Sequence, residues 1–264
     1  MARKPEPQDP LEALRALLIE LNLTTLAREL PGLLSRAETS AAPPAYSEFL
    51  RQALEAEQAA RTERKIQRRL RWSRLGPPVS LDHFDWSARP QLTPSAVKEL
   101  LTCRFVEEKR NLILVGRPSL GKTTVVRAIG HAACQKLYSV YKAEMAELLG
   151  DLHAAKADGS YRKVFRRVTQ PDLLILDDAG LETDLGPNAA NELFRVVCAR
   201  YQQRSTIVVT NLPFKQWGTF LPSPAQAVAI ADRLVDGATI LRFTGRPFRL
   251  PKEVLGAPLD GETE

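Results

Sequence analysis

The stretch from Gly116 to Thr123 reads GRPSLGKT, and the spacing G-x-x-x-x-G-K-[ST] is that of a phosphate-binding loop. A phosphate chain carries several negative charges. Successive backbone N–H groups pointing inward can meet them, and glycines let the backbone approach without Cβ clashes. A helix starting near Thr123 would aim its positive end at the same charges. In this reading Lys122 reaches the outer phosphates of ATP and the Thr123 hydroxyl holds Mg2+. Gly116, Arg117, Pro118, Ser119, Leu120, Gly121 and Thr124 complete the expected nucleotide contacts. A glycine turn with a chance lysine is the plain alternative, but an apolar run, Leu112–Val115, precedes the loop and a helical pattern follows it.

Three further stretches carry candidate chemistry. In "LLILDDAG" four apolar residues deliver two acids: Asp177 to hold Mg2+, directly or through water, and Asp178 to orient or activate an attacking water. Acids capping a strand at the surface would look the same in isolation. "STIVVTNLPF" is a β-rich run ending at Asn211, where open α/β sheets place ligand contacts. Asn211 could bond the γ-phosphate or the attacking water, or be an ordinary turn residue before Leu212–Pro213. In "AIADRLVDGATILRF" Arg233 lies on a helical pattern. It either snorkels along apolar neighbours or reaches a neighbouring subunit's γ-phosphate.

A separate cluster is basic. Arg61, Arg64, Lys65, Arg68 and Arg71 recur at helical spacing along one stripe, with Arg69 and Arg74 flanking, and Glu63 is the only acid between Arg61 and Arg74. Such a density of like charge is self-repelling unless phosphates neutralise it, although a solvated face is the commoner fate of a lone basic helix. With no interleaved aromatics, backbone contacts to double-stranded DNA with little sequence readout are expected. Trp72 is expected in the core.

The elements that must position these residues fall into two patterns. Apolar residues at 11, 14, 17, 18 and 21, then at 23, 26, 30, 33 and 34, have helical spacing. A long helix follows from about Ser47 to Trp72, stopped by paired prolines in "LGPPVS". Residues 1–75 therefore read as a small all-helical N-terminal module, with a proline-rich start expected to be disordered. From 76 to 250, short apolar strands (112–115, 139–141, 173–176, 206–210 and 239–242) alternate with helices (123–136, 144–155 and 189–204). That is the pattern of an α/β fold whose parallel sheet is covered on both faces. Residues 251–264 are expected to be a disordered tail.

Composition bounds the rest. The 264 residues are 44% hydrophobic and 26% charged, ordinary for a folded chain, with net charge +6 and a pI near 9.3 that suits an anionic partner. Cys103, Cys134 and Cys198 are scattered, as are the three histidines, so reduced and mostly buried thiols are expected rather than a zinc site or disulfides. No signal-peptide core or membrane-length apolar run occurs, and a cytoplasmic location is expected.

The order of phosphate loop, "LLILDD", "VTNLPFKQWG", "AIADRL" and "GRPFRL" resembles the IstB/DnaC group of AAA+ ATPases. The N-terminal stretches "LEALRALLIELNLTTLARELPGLL", "YSEFLRQALEAEQAARTERKIQRRLRWSRL" and "LDHFDW" resemble IstB-type transposition helpers. The resemblance implies a P-loop AAA+ core with a five-stranded parallel sheet. It also implies ATP-dependent self-association into a homo-oligomer on DNA, and recruitment or activation of a transposase. By position it makes Lys122 and Thr123 Walker A residues and Asp177 and Asp178 Walker B residues. Asn211 becomes sensor I, Arg233 the arginine finger and Arg249 a sensor II-like residue. Two departures stand out. Ser119, Leu120 and Thr124 replace the family's usual glycine, small hydroxyl residue and histidine, and Asp178 replaces a frequent glutamate, which makes slow hydrolysis plausible. Rival readings are a replicative helicase loader of the DnaC type, a P-loop small-molecule kinase and an ATP-bound scaffold that does not hydrolyse.

Overall fold

The computed structural model describes residues 9–180, 187–219 and 223–247. It comprises two compact units whose division falls at Arg68/Arg69, inside one long helix.

The first unit contains α1 (Pro10–Glu20), α2 (Thr24–Thr39) and most of α3 (Tyr46–Ser73). Asp9 caps α1, its side chain accepting from the Leu11 amide at 2.9 Å, and Pro10 occupies the first turn, where its missing N–H costs nothing. No residue of its own caps α2. Glu57 of α3 does so instead, taking the amides of Thr25 and Leu26 at 2.8 and 2.9 Å. Pro31 sits inside α2 and cannot donate to the carbonyl one turn back. That carbonyl, Ala27 O, accepts from Arg15 Nε at 3.3 Å. The core is Leu18, Leu26, Ala27, Leu30 and Ala53. The first apolar stripe is thus only partly buried: Leu14, Leu17 and Leu21 are 43%, 55% and 67% exposed. Helical spacing marks a face, but Leu18 alone of that stripe is buried in this three-helix core.

The second unit holds a parallel sheet of β1 (Leu112–Gly116), β2 (Val140–Glu144), β3 (Leu173–Ala179), β4 (Ser205–Thr210) and β5 (Thr239–Phe243), in the order β2-β3-β4-β1-β5. Because successive side chains point to opposite faces, two cores form. Leu112, Leu114, Leu173, Ile175, Ile207, Val209, Leu241 and Phe243 share one with Val125, Val126 and Ile129 of α6 (Lys122–Gln135). The short helices α4 (Pro94–Leu101) and α5 (Arg104–Glu107) close that side. On the other face Tyr141, Ala143, Leu174, Leu176 and Val208 pack with α7 (Met145–Ala157), α8 (Tyr161–Thr169), α9 (Pro187–Arg200) and α10 (Pro224–Val235). A 3-10 turn, Phe214–Thr219, brings in the buried Trp217.

The α3 helix ends at Arg74, a left-handed residue (φ 59°). Leu75 then enters the sheet core against Gly130 of α6, where a Cβ would meet Leu75 Cδ2 at 2.6 Å. Trp72, expected in the core, is 73% exposed, whereas its neighbours Ser73 and Leu75 are buried. A lone aromatic beside a helix end gave no signal for which face turns inward.

Candidate nucleotide site

The site lies at the carboxyl ends of β1, β3 and β4. Gly116 ends β1 so close to β5 that a Cβ would meet Phe243 O at 2.3 Å, which only glycine allows. Ser119 (φ 62°) and Gly121 (φ 88°) then turn the chain into α6. The first turn of α6 has no side-chain cap, so its amides remain available to an anion. Pro118, Ser119, Leu120, Gly121, Lys122, Thr123 and Thr124 line a cleft of about 510 Å³ together with Asp178 and Asn211. The Leu120 side chain belongs to the core.

Lys122 is 5% exposed. Its ammonium group donates to the carbonyls of Gly116 and Arg117 (2.7 Å to the latter) and to Asn211 Oδ1 at 2.8 Å. Burial pushes its pKa down to about 8, against the pull of Asp178 and Asp177. Asn211 is presented by Thr210, whose hydroxyl donates to Ala179 O at 2.7 Å and accepts from the Leu212 amide at 3.0 Å.

The two acids at the end of β3 sit on a β-bulge. Leu176 pairs with Val208 and Ala179 with Thr210, so Asp177 and Asp178 together oppose the single residue between. Asp178 takes the left-handed conformation (φ 54°). This kink buries Asp177 and turns Asp178 to the cleft. Burial, Asp177 and Glu144 raise the Asp178 carboxyl above its ordinary value. Asp177 Oδ1 lies 3.5 Å from the Thr123 hydroxyl, and its Oδ2 is held by Lys142 Nζ at 3.0 Å. Hydroxyl and carboxylate oxygens suit Mg2+. Among the described residues no cluster of three His, Cys, Asp or Glu could hold a metal.

Sequence reasoning missed the fourth wall. Ser80, His83 and Phe84 line the cleft, and Arg89 fastens their segment to the loop, its Nε donating to Leu120 O at 2.9 Å. The signal was present in "LDHFDW", but no spacing rule ties such a segment to a loop so far along the chain. Arg233 is not among the described residues lining the cleft: its guanidinium donates to Ala229 O at 2.8 Å and lies 5.2 Å from the Phe194 ring centroid. Arg249 and the tail 251–264 lie outside the described residues.

The basic stripe is divided. Arg61 donates to Glu57 and to Asn22 O, and Arg64 to Glu57 and the Thr24 hydroxyl. Arg74 is bound to Glu147 at 2.7 Å and to the Tyr141 hydroxyl at 3.2 Å. Arg69 is half-buried, whereas Lys65, Arg68 and Arg71 are exposed. The neutralising acid, Glu57, stands one turn before the stripe. A second basic face was not anticipated: α8 turns Val164, Phe165 and Val168 inward and leaves Arg162, Lys163 and Arg166 exposed. Among the described residues no helix is long and apolar enough to cross a membrane.

A sheet in this order, with a phosphate loop after β1, acids closing β3 and a polar residue closing β4, defines a P-loop nucleotide-binding core. The chain belongs to the family of IstB-like ATP binding proteins, whose pattern it matches over residues 16–255. The ATP-binding protein of insertion sequence IS5376 from Geobacillus stearothermophilus is 34% identical over 210 residues, 80% of this chain and 83% of that protein. Its IS21 counterpart from Pseudomonas aeruginosa is 30% identical over 243 residues, 92% and 91% of the two chains. Among solved structures, DnaI aligns with a TM-score of 0.52 at 20% identity, covering 65% of this chain and 90% of DnaI. AMPPCP-bound DnaA from Aquifex aeolicus aligns at 0.54 and 18%, covering 65% and 51%. These two establish the likeness of fold alone.

Proposed function

We propose that this protein is an ATP-hydrolysing regulator of transposition. It assembles as a homo-oligomer on double-stranded DNA, recruits or activates a transposase, and leaves when ATP is hydrolysed. The observation that carries the reading is the convergence of Lys122, Thr123, Asp178 and Asn211 on one cleft, with the buried Asp177 3.5 Å behind the Thr123 hydroxyl. Membership of a family whose relatives are named for insertion sequences supports the setting.

In this reading the α6 amides and the loop receive the phosphates. Lys122 exchanges its carbonyl and Asn211 partners for phosphate oxygens, which frees Asn211 to orient water or the terminal phosphate. Thr123 and Asp177 would hold Mg2+, whose contribution would be to neutralise negative charge on the phosphates. Asp178 is the general base or water-positioning acid, and its raised proton affinity suits that task. Arg233 comes from a neighbouring subunit, since its own side chain points to Phe194, and Arg249 is a sensor II-like contact. Lys65, Arg68 and Arg71, with Arg162, Lys163 and Arg166 of α8, supply phosphate contacts to DNA. Residues 1–75 form the DNA-binding and assembly module, 76–250 the ATPase and 251–264 the tail, in a cytoplasmic protein.

A mixing experiment tests the shared site. Arg233→Ala and Asp178→Asn should each be nearly inactive, an arginine on transferring phosphate being worth about 10³–10⁵ in rate. Co-assembled on DNA, the two variants should regain ATPase activity at interfaces that pair an intact Asp178 with an intact Arg233. Co-assembled mixtures as inactive as the parents would leave Arg233 a structural residue. Affinity capture with the ATP-loaded protein should yield a transposase, and recovery of a hexameric helicase instead would favour the loader reading.

A further inference from the structure

Asp177 is 2% exposed, and its carboxylate is shared between two directions. Oδ1 faces Thr123 Oγ1 at 3.5 Å and the Asp178 amide at 3.2 Å. Oδ2 faces Lys142 Nζ at 3.0 Å, and that side chain is itself only 15% exposed. Lys142 comes from β2, whose register puts Glu144 directly beside Asp177. The carboxyl ends of β2 and β3 thus gather three acids, Glu144, Asp177 and Asp178. Lys122 adds charge nearby but spends its ammonium hydrogens on two carbonyls and Asn211. Lys142 is therefore the cation in direct contact with the buried acid.

We propose that Lys142 is a resident counter-ion for Asp177 that sets how strongly the site demands a divalent cation. The proposal rests on the reading of Asp177 as a Mg2+ ligand. A buried carboxylate with no partner is costly, and Lys142 removes that cost before any metal arrives. The same positive charge then opposes a divalent cation bound at Oδ1, because like charges a few ångströms apart in a poorly solvated site interact strongly. The site is consequently stable without metal and takes Mg2+ only when phosphates supply further negative charge. Lys142 is not among the described residues lining the cleft, and its ion pair is with Asp177, so it acts as a positioning residue through that acid.

The test compares Mg2+ responses of the full chain. Without nucleotide, wild-type melting temperature should be insensitive to millimolar Mg2+. Lys142→Met should melt lower in chelator and recover when Mg2+ is added. It should also bind Mn2+ by electron paramagnetic resonance without nucleotide, and reach half-maximal ATP binding at about tenfold lower Mg2+. Lys142→Arg should behave as wild type. The double variant Lys142→Met/Asp177→Asn, a neutral pair, should recover in chelator and lose the Mg2+ response, which keeps the test open if Lys142→Met alone folds poorly. An equal loss of melting temperature with and without Mg2+, at an unchanged Mg2+ requirement, would make Lys142 a plain structural ion pair. If Asp177→Asn alone leaves Mg2+-dependent ATP binding intact, the metal-ligand reading of Asp177 falls and this proposal with it. If it weakens that binding while Lys142→Met has no metal phenotype, only the counter-ion role is lost.

Discussion

The cations of the cleft and those of α3 invite comparison. Lys122 stands where a loop, a helix start and two neighbouring strands converge, and its partners Gly116, Arg117 and Asn211 follow from the order of strands. Arg61, Arg64, Lys65, Arg68 and Arg71 share one helix and one spacing, yet only the first two are tied down, by Glu57 and the turn before α2. A buried cation is determined by topology. A surface cation is determined by whichever acid the tertiary fold happens to bring near.

Lys122→Ala should have the largest effect, weakening ATP binding about a hundredfold in calorimetry by removing charge-assisted hydrogen bonds. Asp178→Asn should retain binding, and equal losses in both would remove the distinct roles given to the lysine and the acid within the cleft.

Next comes Glu57, which is the α3 counterpart of a buried site. Burial disfavours its charge, but the Leu26 amide, Arg61 and the Thr25 amide outweigh that and hold the carboxyl below its ordinary value. The sign follows: a depressed folded pKa adds stability above the usual carboxylate range, lost as pH falls through the lowered folded value. Glu57→Ala should cost about 3 kcal/mol by leaving α2 uncapped and Arg61 and Arg64 without their acid. Chemical denaturation followed by helical circular dichroism measures it, and an unchanged midpoint would remove Glu57 as the organiser of the stripe.

Arg68→Gln and Arg64→Gln should then part company. The first should leave melting untouched and flatten the salt dependence of DNA affinity by about 0.9 in log–log slope. The second should lower the melting temperature. Identical behaviour would mean that the division within the stripe has no consequence in solution. Smallest of all, Arg51→Ala breaks only exposed pairs with Glu48 and Glu55, and its melting curve should overlay that of wild type.

Much of this was legible from residue order. The five strands, α6 and the place of the two acids at the end of β3 follow from apolar runs that end in glycine, aspartate or asparagine, because a buried parallel strand announces itself and its end is where polar residues begin. The bulge at Asp178 was not, since a one-residue excess in β3 exists only relative to β4. Nor was the Glu57 cap or the wall made by Ser80, His83 and Phe84: each joins segments that no periodicity links. Trp72 was misjudged for a related reason, since apolarity says that a residue could be buried, not that a neighbour exists to bury it; Leu14, Leu17 and Leu21 lie on the expected helix and are exposed.

The strand order also dictates a schedule. β1, which carries the phosphate loop, pairs on one side with β4 through Leu112 and Ile207 and on the other with β5 through Leu112 and Thr239. Both neighbours are translated long after β1 itself, so the strand must wait unpaired while the intervening helices emerge. The helical contacts of residues 9–68 close over short loops, whereas placing β1 between β4 and β5 requires contacts of long sequence separation, the kind that form slowly. A nascent chain that ends before Thr239 has a nucleotide loop without the β5 neighbour that Gly116 packs against.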